Sequence, residues 1–275
     1  VYKRQAQLRA RITPFMLRRT KALVAGELPP KVESVMPVEL TGAQADLYET
    51  IRLGMEKTVR EALQSKGLAQ SQITILDALL KLRQVCCHPQ LVPLEAAAKV
   101  KTSAKLDHLM ALLPEMLAEG RRVLVFSQFT SMLTLIEAEL KARNLPWVKL
   151  TGQSVKRDAI IEQFTSGRVP LFLISLKAGG VGLNLPQADT VIHFDPWWNP
   201  AVEDQATDRA HRIGQTQSLW VVKLVAQGTI EEKILALQER KAELADSLYS
   251  GAAARKEPLF TETDLTELLQ PLSVS

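Results

Sequence analysis

Cysteine is scarce in this chain, whose 275 residues contain two, the neighbours Cys86 and Cys87. Adjacent cysteines rarely bridge each other, so we expect no disulfide framework and infer a reducing compartment. No apolar run approaches the roughly 18 residues that a membrane span needs. The sequence also shows no secretory signal peptide. We therefore expect no membrane partner.

The motifs that hold Mg²⁺–ATP are missing as well. The sequence contains no Gly-x-x-x-x-Gly-Lys-Ser/Thr loop and no Asp-Glu pair at a strand end. A zinc site also lacks support, because Cys86-Cys87-His88 supplies too few ligands and the other histidines are scattered. We therefore expect no metal site and place Cys86 in the core.

The composition is that of a globular protein, with 46% hydrophobic and 23% charged residues. The net charge of +4 is compatible with nucleic-acid binding but does not indicate it alone. The length allows one large domain or two small ones. Because the chain starts at Val1 and not at Met, we expect it to be a fragment of a longer protein.

The first hundred residues divide into two segments. Residues 1–40 are basic and then Pro-rich around Pro29-Pro30, which indicates a linker. Within residues 41–100, apolar side chains recur at helical spacing over 43–65 and 72–87. This second segment is therefore predicted to be helical.

Residues 101–251 have a different texture, in which short apolar runs rich in β-branched residues alternate with amphipathic helices. This alternation predicts an α/β domain with a parallel sheet covered on both faces. The predicted strands are Val123–Phe126, Trp147–Leu150, Leu171–Ile174, Val191–Phe194 and Trp220–Val225, and the predicted helices span about 131–143, 155–166, 200–212 and 230–248. Residues 252–275 form a tail with one short helical pattern at 265–269.

The most informative motif lies in the predicted helix at 200–212, which Asn199 and Pro200 start well. Gln205, Arg209 and Arg212 stand at i, i+4 and i+7, so on a helix they share one face. Two arginines aimed in one direction suit phosphate, because the guanidinium fork matches phosphate oxygens and stays charged.

Polar and glycine-rich segments follow the predicted strands, where parallel α/β sheets bind ligands. Ser127-Gln128 could face a ligand or cap the next helix. Lys156 and Arg157 fall in a first helical turn, where either a bound phosphate or solvent would compensate them. The glycines of 175–185 allow close approach of a ligand, or make an ordinary flexible connection.

Two adjacent tryptophans, Trp197 and Trp198, stand in the loop before the arginine motif. Two neighbouring indoles in a loop cannot easily both be buried. We expect one in the core and the exposed one against nucleic acid.

In their order along the chain these motifs resemble the second RecA-like lobe of Swi/Snf-type ATPases, the double-stranded DNA translocases of helicase superfamily two. The motifs are Phe126-Ser127-Gln128, Gly182-Leu183-Asn184-Leu185, Asp195 with Trp198-Asn199-Pro200, and Gln205 with Asp208-Arg209 and His211–Gln215. The resemblance extends to Phe15–Lys21, Leu28–Lys31 and Leu82–Pro89, and so spans roughly residues 12–250. The tryptophan pair and the compact spacing look more bacterial than eukaryotic.

The resemblance implies a RecA-like, P-loop NTPase-type fold with an inter-lobe linker at 1–40 and a helical protrusion at 41–100. The second lobe would occupy 101–251 and the C-terminal tail 252–275. Arg209 and Arg212 would be arginine fingers in a motif that Gln205 starts. They would reach the γ-phosphate of ATP that the missing N-terminal lobe holds with Mg²⁺.

The resemblance also implies the remaining contacts of the site. Gly182 and Asn184 would border the nucleotide. The residues implied to face the backbone of double-stranded DNA are Ser127, Gln128, Arg157, Ser175 and Lys177, with Trp198 at the minor groove.

The function expected from the resemblance is that of the C-terminal motor lobe of an ATP-dependent double-stranded DNA translocase. ATP binding would close the two lobes of this DNA-dependent ATPase and hydrolysis would open them. Without Walker A and B motifs, the isolated chain should be inactive. We expect the protein in the bacterial cytoplasm, associated with the nucleoid.

Two alternatives remain open from the sequence. One is a non-catalytic module that docks a protein partner through the helices of 43–87. The other is a related translocase that acts on RNA or on RNA polymerase.

Overall fold

The computed structural model describes residues 28–178, 183–249 and 262–272. The elements in chain order are β1 (Lys31–Val38), α1 (Gly42–Cys87), α2 (Glu95–Ala98), α3 (Ala104–Ala118), β2 (Val123–Ser127), α4 (Thr130–Ala142), β3 (Val148–Leu150), α5 (Arg157–Thr165), β4 (Leu171–Ser175), β5 (Thr190–His193), α6 (Pro200–Thr207), β6 (Leu219–Ala226), α7 (Ile230–Tyr249) and α8 (Glu262–Leu268). A short 3₁₀ turn, Pro89–Leu91, follows α1.

The strands form one sheet in the order β1-β6-β5-β2-β4-β3, and every neighbouring pair is parallel. All residues of β2, β4 and β5 are buried. Strands buried on both faces read as continuous apolar runs, which is why the sequence shows no alternation there. The parallel α/β sheet predicted from the sequence is confirmed.

The two faces of the sheet belong to separate apolar clusters. Val123 and Val125 of β2 pack with α3 and α4, whereas Leu124 and Phe126 pack with α5 and α6. Successive side chains of a strand point to opposite faces, so this division follows from the pleat. The sheet is therefore covered by helices on both sides.

The first strand, β1, lies at one edge of the sheet and pairs with β6 from Lys31 opposite Leu219 to Val38 opposite Ala226. Residues 1–40 were predicted to be a linker, and Lys31–Val38 within that segment form a strand. Its side chains are mostly exposed, as an edge strand allows, so no buried run announced it. Residues 1–27 lie outside the described part of the chain.

Helix α1 joins the two predicted helices into one long element with a break at Gly67. Gly67 has φ 71° and ψ 172°, a conformation that glycine adopts without a Cβ clash. The helix ends at His88-Pro89, because proline disfavours helical backbone in the residue before it. Leu79 and Leu82 of α1 pack with α7 and α8 in a third apolar cluster.

The two cysteines close α1, and both are buried and unpaired. Burial raises the pKa of the Cys86 thiol. Among the described residues no group of three His, Cys, Asp or Glu side chains could hold a metal ion. None of the described helices is long and apolar enough to cross a membrane. The tail pattern predicted at 265–269 lies largely within α8.

Candidate functional site

The helix that carries the arginine motif begins as predicted but is shorter. Asn199 caps α6, since its Oδ1 accepts a hydrogen bond from Ala201 N at 3.1 Å, and Pro200 follows. The helix ends at Thr207 and not at 212. Beyond it the chain continues in tight turns, in which Arg209 N donates to Ala206 O and Arg212 N donates to Ala210 O.

The prediction that Gln205, Arg209 and Arg212 share a helix face is therefore wrong. Gln205 is exposed on α6, while both arginines lie in the turns that follow it. The backbone O of Arg209 accepts a hydrogen bond from Leu185 N at 2.8 Å. Arg212 Nη1 donates to Leu183 O at 3.4 Å.

These contacts bring the two arginines to the segment that leads into β5. Asn184 stands exposed between the two residues that the arginines bind. The structure thus unites Arg209, Arg212 and Asn184, although the three come from two separate motifs. Gly182, the other predicted nucleotide neighbour, lies outside the described residues.

Arg209 is 9% exposed, and its Nε is buried without a hydrogen-bond partner. Burial and the positive charge of Arg212 lower the pKa of the Arg209 guanidinium. A buried cation next to a second cation is unfavourable by itself. An anion with several oxygens would offset both the burial of the Arg209 charge and its repulsion by Arg212. Phosphate matches the guanidinium geometry.

Gln215 holds this arrangement together, and the sequence analysis gave it no role. Its Nε2 donates to Ala188 O at 2.5 Å and to Ala210 O at 3.5 Å. Its Oε1 accepts from the backbone N of Thr216 and Gln217 at 3.0 Å each. The side chain is 8% exposed, so it acts as an internal brace. Its place at the end of the motif was the available signal.

A second group of predicted residues lies at the carboxyl ends of β2 and β4. Ser127 and Ser175 are register partners, and they are 0% and 2% exposed. Ser127 Oγ donates to Asp195 Oδ1 and accepts from Phe129 N, while Ser175 Oγ accepts from Ala178 N. Both hydroxyls shape the loops. This differs from the expectation that their side chains face DNA.

Asp195 lies just after β5 and is hydrogen-bonded to the loop that follows β2. Its Oδ2 accepts a hydrogen bond from Gln128 N at 3.3 Å, and its side chain is 1% exposed. Burial raises the pKa of Asp195, against the opposing charges of Lys105 and Arg83. The strand ends are therefore tied together by one buried carboxyl group.

Lys177, Arg157 and Gln128 surround these strand ends. Lys177 is exposed, and the neighbouring Ala178 O accepts a hydrogen bond from Arg157 Nη2 at 3.3 Å. Arg157 is the first residue of α5, whose N-cap Lys156 has left-handed backbone with φ 57°. Gln128 is half-buried. Two cationic side chains thus come from adjacent loops, an arrangement suited to a phosphate backbone.

A cleft of about 610 Å³ separates these loops from helix α1. Its lining is mostly apolar, with Gln128, Lys177 and Arg83 as polar members. The other lining residues are Leu76, Leu79, Leu80, Phe129, Leu176, Trp197, Trp198 and Val202.

Both tryptophans are half-buried, which differs from the predicted division into one buried and one exposed ring. Trp197 packs against the cluster under α5 and α6, and Trp198 against the cluster around α1. The guanidinium carbon of Arg83 lies 5.1 Å from the centre of each ring. Arg83 was missed as a site residue, although an arginine on the apolar face of 72–87 was visible.

Known protein families match the chain in two stretches. The helicase conserved C-terminal domain matches residues 104–214, and the SNF2-related domain matches residues 1–91. Among solved structures, the C-terminal domain of a SWI2/SNF2 ATPase from Sulfolobus solfataricus is 31% identical. That likeness covers 89% of this chain and 100% of that one, with a TM-score of 0.67.

The chain belongs to the Swi/Snf family of helicase superfamily two. Its parallel sheet is accordingly the RecA-like fold predicted from the motifs. The Sulfolobus SWI2/SNF2 ATPase core in complex with double-stranded DNA is 34% identical, with a TM-score of 0.68. This second likeness covers 98% of the present chain and 56% of that core.

Curated relatives carry names that fit a Swi/Snf ATPase. A Bacillus subtilis protein named as an ATP-dependent helicase/translocase is 39% identical over 99% of this chain. A SWI/SNF chromatin-remodelling complex subunit of Schizosaccharomyces pombe is 34% identical over 85%. The chain spans less than a third of the length of the first relatives, 29% of the Bacillus protein.

Proposed function

We propose that this chain is the C-terminal motor lobe of an ATP-dependent double-stranded DNA translocase. The lobe supplies arginine fingers to ATP, which the N-terminal RecA-like lobe of the same protein holds with Mg²⁺. It also supplies contacts to the DNA backbone from the loops at its strand ends. We place the protein in the bacterial cytoplasm, at the nucleoid.

The observation that carries the proposal is that Arg209 and Arg212 are both held against the same backbone segment, Leu183–Leu185. Each arginine is fixed to the Leu183–Leu185 segment, and Arg209 Nε has no partner within the described chain. A preorganised cation stabilises charge on a transferring phosphoryl group at little reorganisation cost. The lobe is thus a receptor for a phosphate that another lobe presents.

The residues present fit a nucleotide phosphate better than a metal ion. Asn184 lies between the two residues that the arginines bind, so it would border the nucleotide with Gly182. Gln205 would contact the nucleotide only from the surface of α6. Arginine offers donors only, whereas Mg²⁺ takes oxygen ligands. The Mg²⁺ ion would therefore be held by the N-terminal lobe.

The DNA contact is supported by charge and position. Exposed Lys177 and neighbouring Arg157 can neutralise phosphates, and half-buried Trp198 stands beside the cleft for contact at the minor groove. Ser127, Ser175 and Gln128 would contribute by shaping the loops that present these groups. The DNA complex of the Sulfolobus relative supports the choice of duplex DNA.

The arginine fingers are tested by Arg209→Ala and Arg212→Ala in the complete protein. Each should lower DNA-stimulated ATP hydrolysis by about 10³–10⁵-fold, while nucleotide binding stays within a few-fold of wild type. Arg168→Ala is the matched control, because its side chain is 62% exposed and pairs with Glu162 on α5. Turnover near the wild-type rate in both finger variants would exclude the assignment.

The division of labour between lobes has its own test. The purified 275-residue chain should bind duplex DNA but hydrolyse no ATP, because the residues that hold Mg²⁺–ATP are absent from its sequence. Stimulation of the complete protein by duplex DNA, single strands and RNA separates a DNA translocase from one acting on RNA. Strongest stimulation by RNA would favour the latter.

A protein-docking function has one specific observation in its favour. Ile73, Leu76 and Leu80 lie on one face of α1 and are 84%, 47% and 40% exposed. Contiguous exposed apolar side chains mark interaction surfaces. Ile73→Ser should weaken partner binding without changing DNA-stimulated ATPase, because Ile73 lies outside the cleft that Leu76 and Leu80 line. A joint loss of ATPase would assign this face to the motor.

A further inference from the structure

Hydrogen bonds from helices α6 and α7 hold the loop Asp195–Asn199. Trp197 N donates to Glu203 Oε1 of α6 at 2.6 Å. Gln238 Nε2 of α7 donates to Trp197 O and, at 2.9 Å, to the same Glu203 oxygen. These bonds fix the backbone of the loop but contact neither indole ring.

The rings are held by a different element, helix α1. Arg83 Nη2 donates to Pro196 O at 2.9 Å, and the guanidinium stands 5.1 Å from the centre of each tryptophan ring. A third aromatic ring, that of Phe129, lies 5.9 Å away. Arg83 is 3% exposed, so these contacts are desolvated and correspondingly strong.

The geometry demands arginine at this position. A planar guanidinium can stack on two indoles while one of its nitrogens donates in the plane, which a lysine ammonium cannot do. The Nε of Arg83 is buried without a hydrogen-bond partner, which is a cost of placing the guanidinium beside both rings. The contacts with the two rings and with Pro196 O thus compensate the burial of this cation.

We propose that Arg83 is a positioning residue that sets the orientation of Trp198 for DNA contact. The proposal rests on the proposed function, in which Trp198 meets the minor groove. It adds that helix α1 of the helical protrusion sets this orientation. Movement of α1 relative to the lobe would then change the affinity for DNA.

A change in ring orientation alters the solvent exposure of the indoles, which fluorescence of the 275-residue chain measures. The chain has four tryptophans, so Trp147→Phe with Trp220→Phe leaves only Trp197 and Trp198. In that background Arg83→Met should shift the emission to longer wavelength and raise acrylamide quenching, and Arg83→Lys should do so partly. The control Arg60→Met removes an arginine from α1 that is 67% exposed and should change neither. Unchanged emission in both Arg83 variants would overturn the proposal.

The functional consequence is measured in the complete protein. Arg83→Met should raise the DNA concentration for half-maximal ATPase by about three- to tenfold, with turnover at saturating DNA nearly unchanged. Trp198→Phe should give a similar increase, and the double variant should exceed neither single variant by much. An effect purely on stability would lower the turnover and add to that of Trp198→Phe, which would contradict the proposal.

The proposed function and the role of Arg83 are tested separately. If duplex DNA does not stimulate the wild-type protein, the proposed function is wrong, while the fluorescence result still tests whether Arg83 positions the rings. If DNA stimulates but Arg83→Lys and Arg83→Met match Arg60→Met in both assays, the positioning role of Arg83 is wrong and the motor assignment stands.

Discussion

The substitution Lys105→Met should greatly lower the free energy of unfolding of the lobe. Lys105 Nζ contacts Glu231 Oε2 at 2.8 Å and Oε1 at 3.0 Å, and the two side chains are 0% and 1% exposed. The pair joins the start of α3 to the start of α7. Glu231 also accepts from Ala226 N at 2.8 Å, at the end of β6.

The magnitude follows from what Met leaves behind. Met fills the volume of the lysine stem, so little cavity forms, but Glu231 becomes a buried carboxylate with one backbone donor. Breaking a buried pair from one side costs about 3–5 kcal/mol. Burial lowers the pKa of Lys105, yet Glu231 outweighs this and the pKa is raised overall. The lysine is therefore charged at neutral pH.

Urea denaturation of the 275-residue chain at pH 7 measures the effect, provided that the slope with denaturant stays constant. Lys81→Met breaks an ion pair to exposed Asp77 and should cost at most about 1 kcal/mol. Lys105→Met with Glu231→Gln should recover much of the loss, since no member of the pair then stays charged and the amide oxygen can still accept from Ala226 N. A loss below about 1 kcal/mol for Lys105→Met alone would refute the reasoning.

Further predictions concern pH, salt and a helix cap. Burial lowers the pKa of His193 to about 4, so unfolding takes up a proton between pH 6.5 and 4. Acidification through that range should cost wild type about 3 kcal/mol more than His193→Gln, measured by urea midpoints. Lys177→Ala should reduce the salt dependence of DNA binding by about one unit, whereas Lys141→Ala, exposed at the far end of α4, should not. Asn199→Ala should lower the free energy of unfolding by about 1 kcal/mol, because a backbone N–H of α6 loses its acceptor.

The sheet was predictable because its central strands are buried on both faces. Runs such as Leu171–Ile174 carry little besides apolar residues, and the structure makes strands of them within a residue or two at each end. The edge strand β1 was not predictable in this way. Most of its side chains are exposed, so its sequence shows no buried apolar run. Only its pairing with β6 identifies it as a strand.

The arginine motif contributed to the family assignment, which is confirmed, but its local structure was predicted wrongly. Periodicity extended the helix to 212, whereas α6 ends at Thr207. The cause is tertiary, since Gln215 and the Leu183–Leu185 segment capture the backbone around Arg209. Helical spacing cannot register contacts between segments about 25 residues apart.

The tryptophan pair shows a similar limit. The aromatic loop was visible in the sequence, and the family resemblance implied a DNA contact for Trp198. The role of Arg83 was not visible, because it lies 113 residues from its acceptor Pro196. The strand-end position of the two serines was predicted correctly. The burial of Ser127 against Asp195 was not, because it depends on β2 and β5 meeting in the sheet. The roles of the site residues as DNA or nucleotide contacts stay predictions.

Movement along duplex DNA tests the central claim most directly. The complete protein is given a linear duplex with a third strand bound in the major groove, and release of that strand is followed after ATP addition. Wild type should displace the strand after a lag that grows with the distance to it, and Arg209→Ala should not displace it at all. ATP hydrolysis without displacement, or equal displacement by Arg209→Ala, would contradict a translocase driven by these arginines.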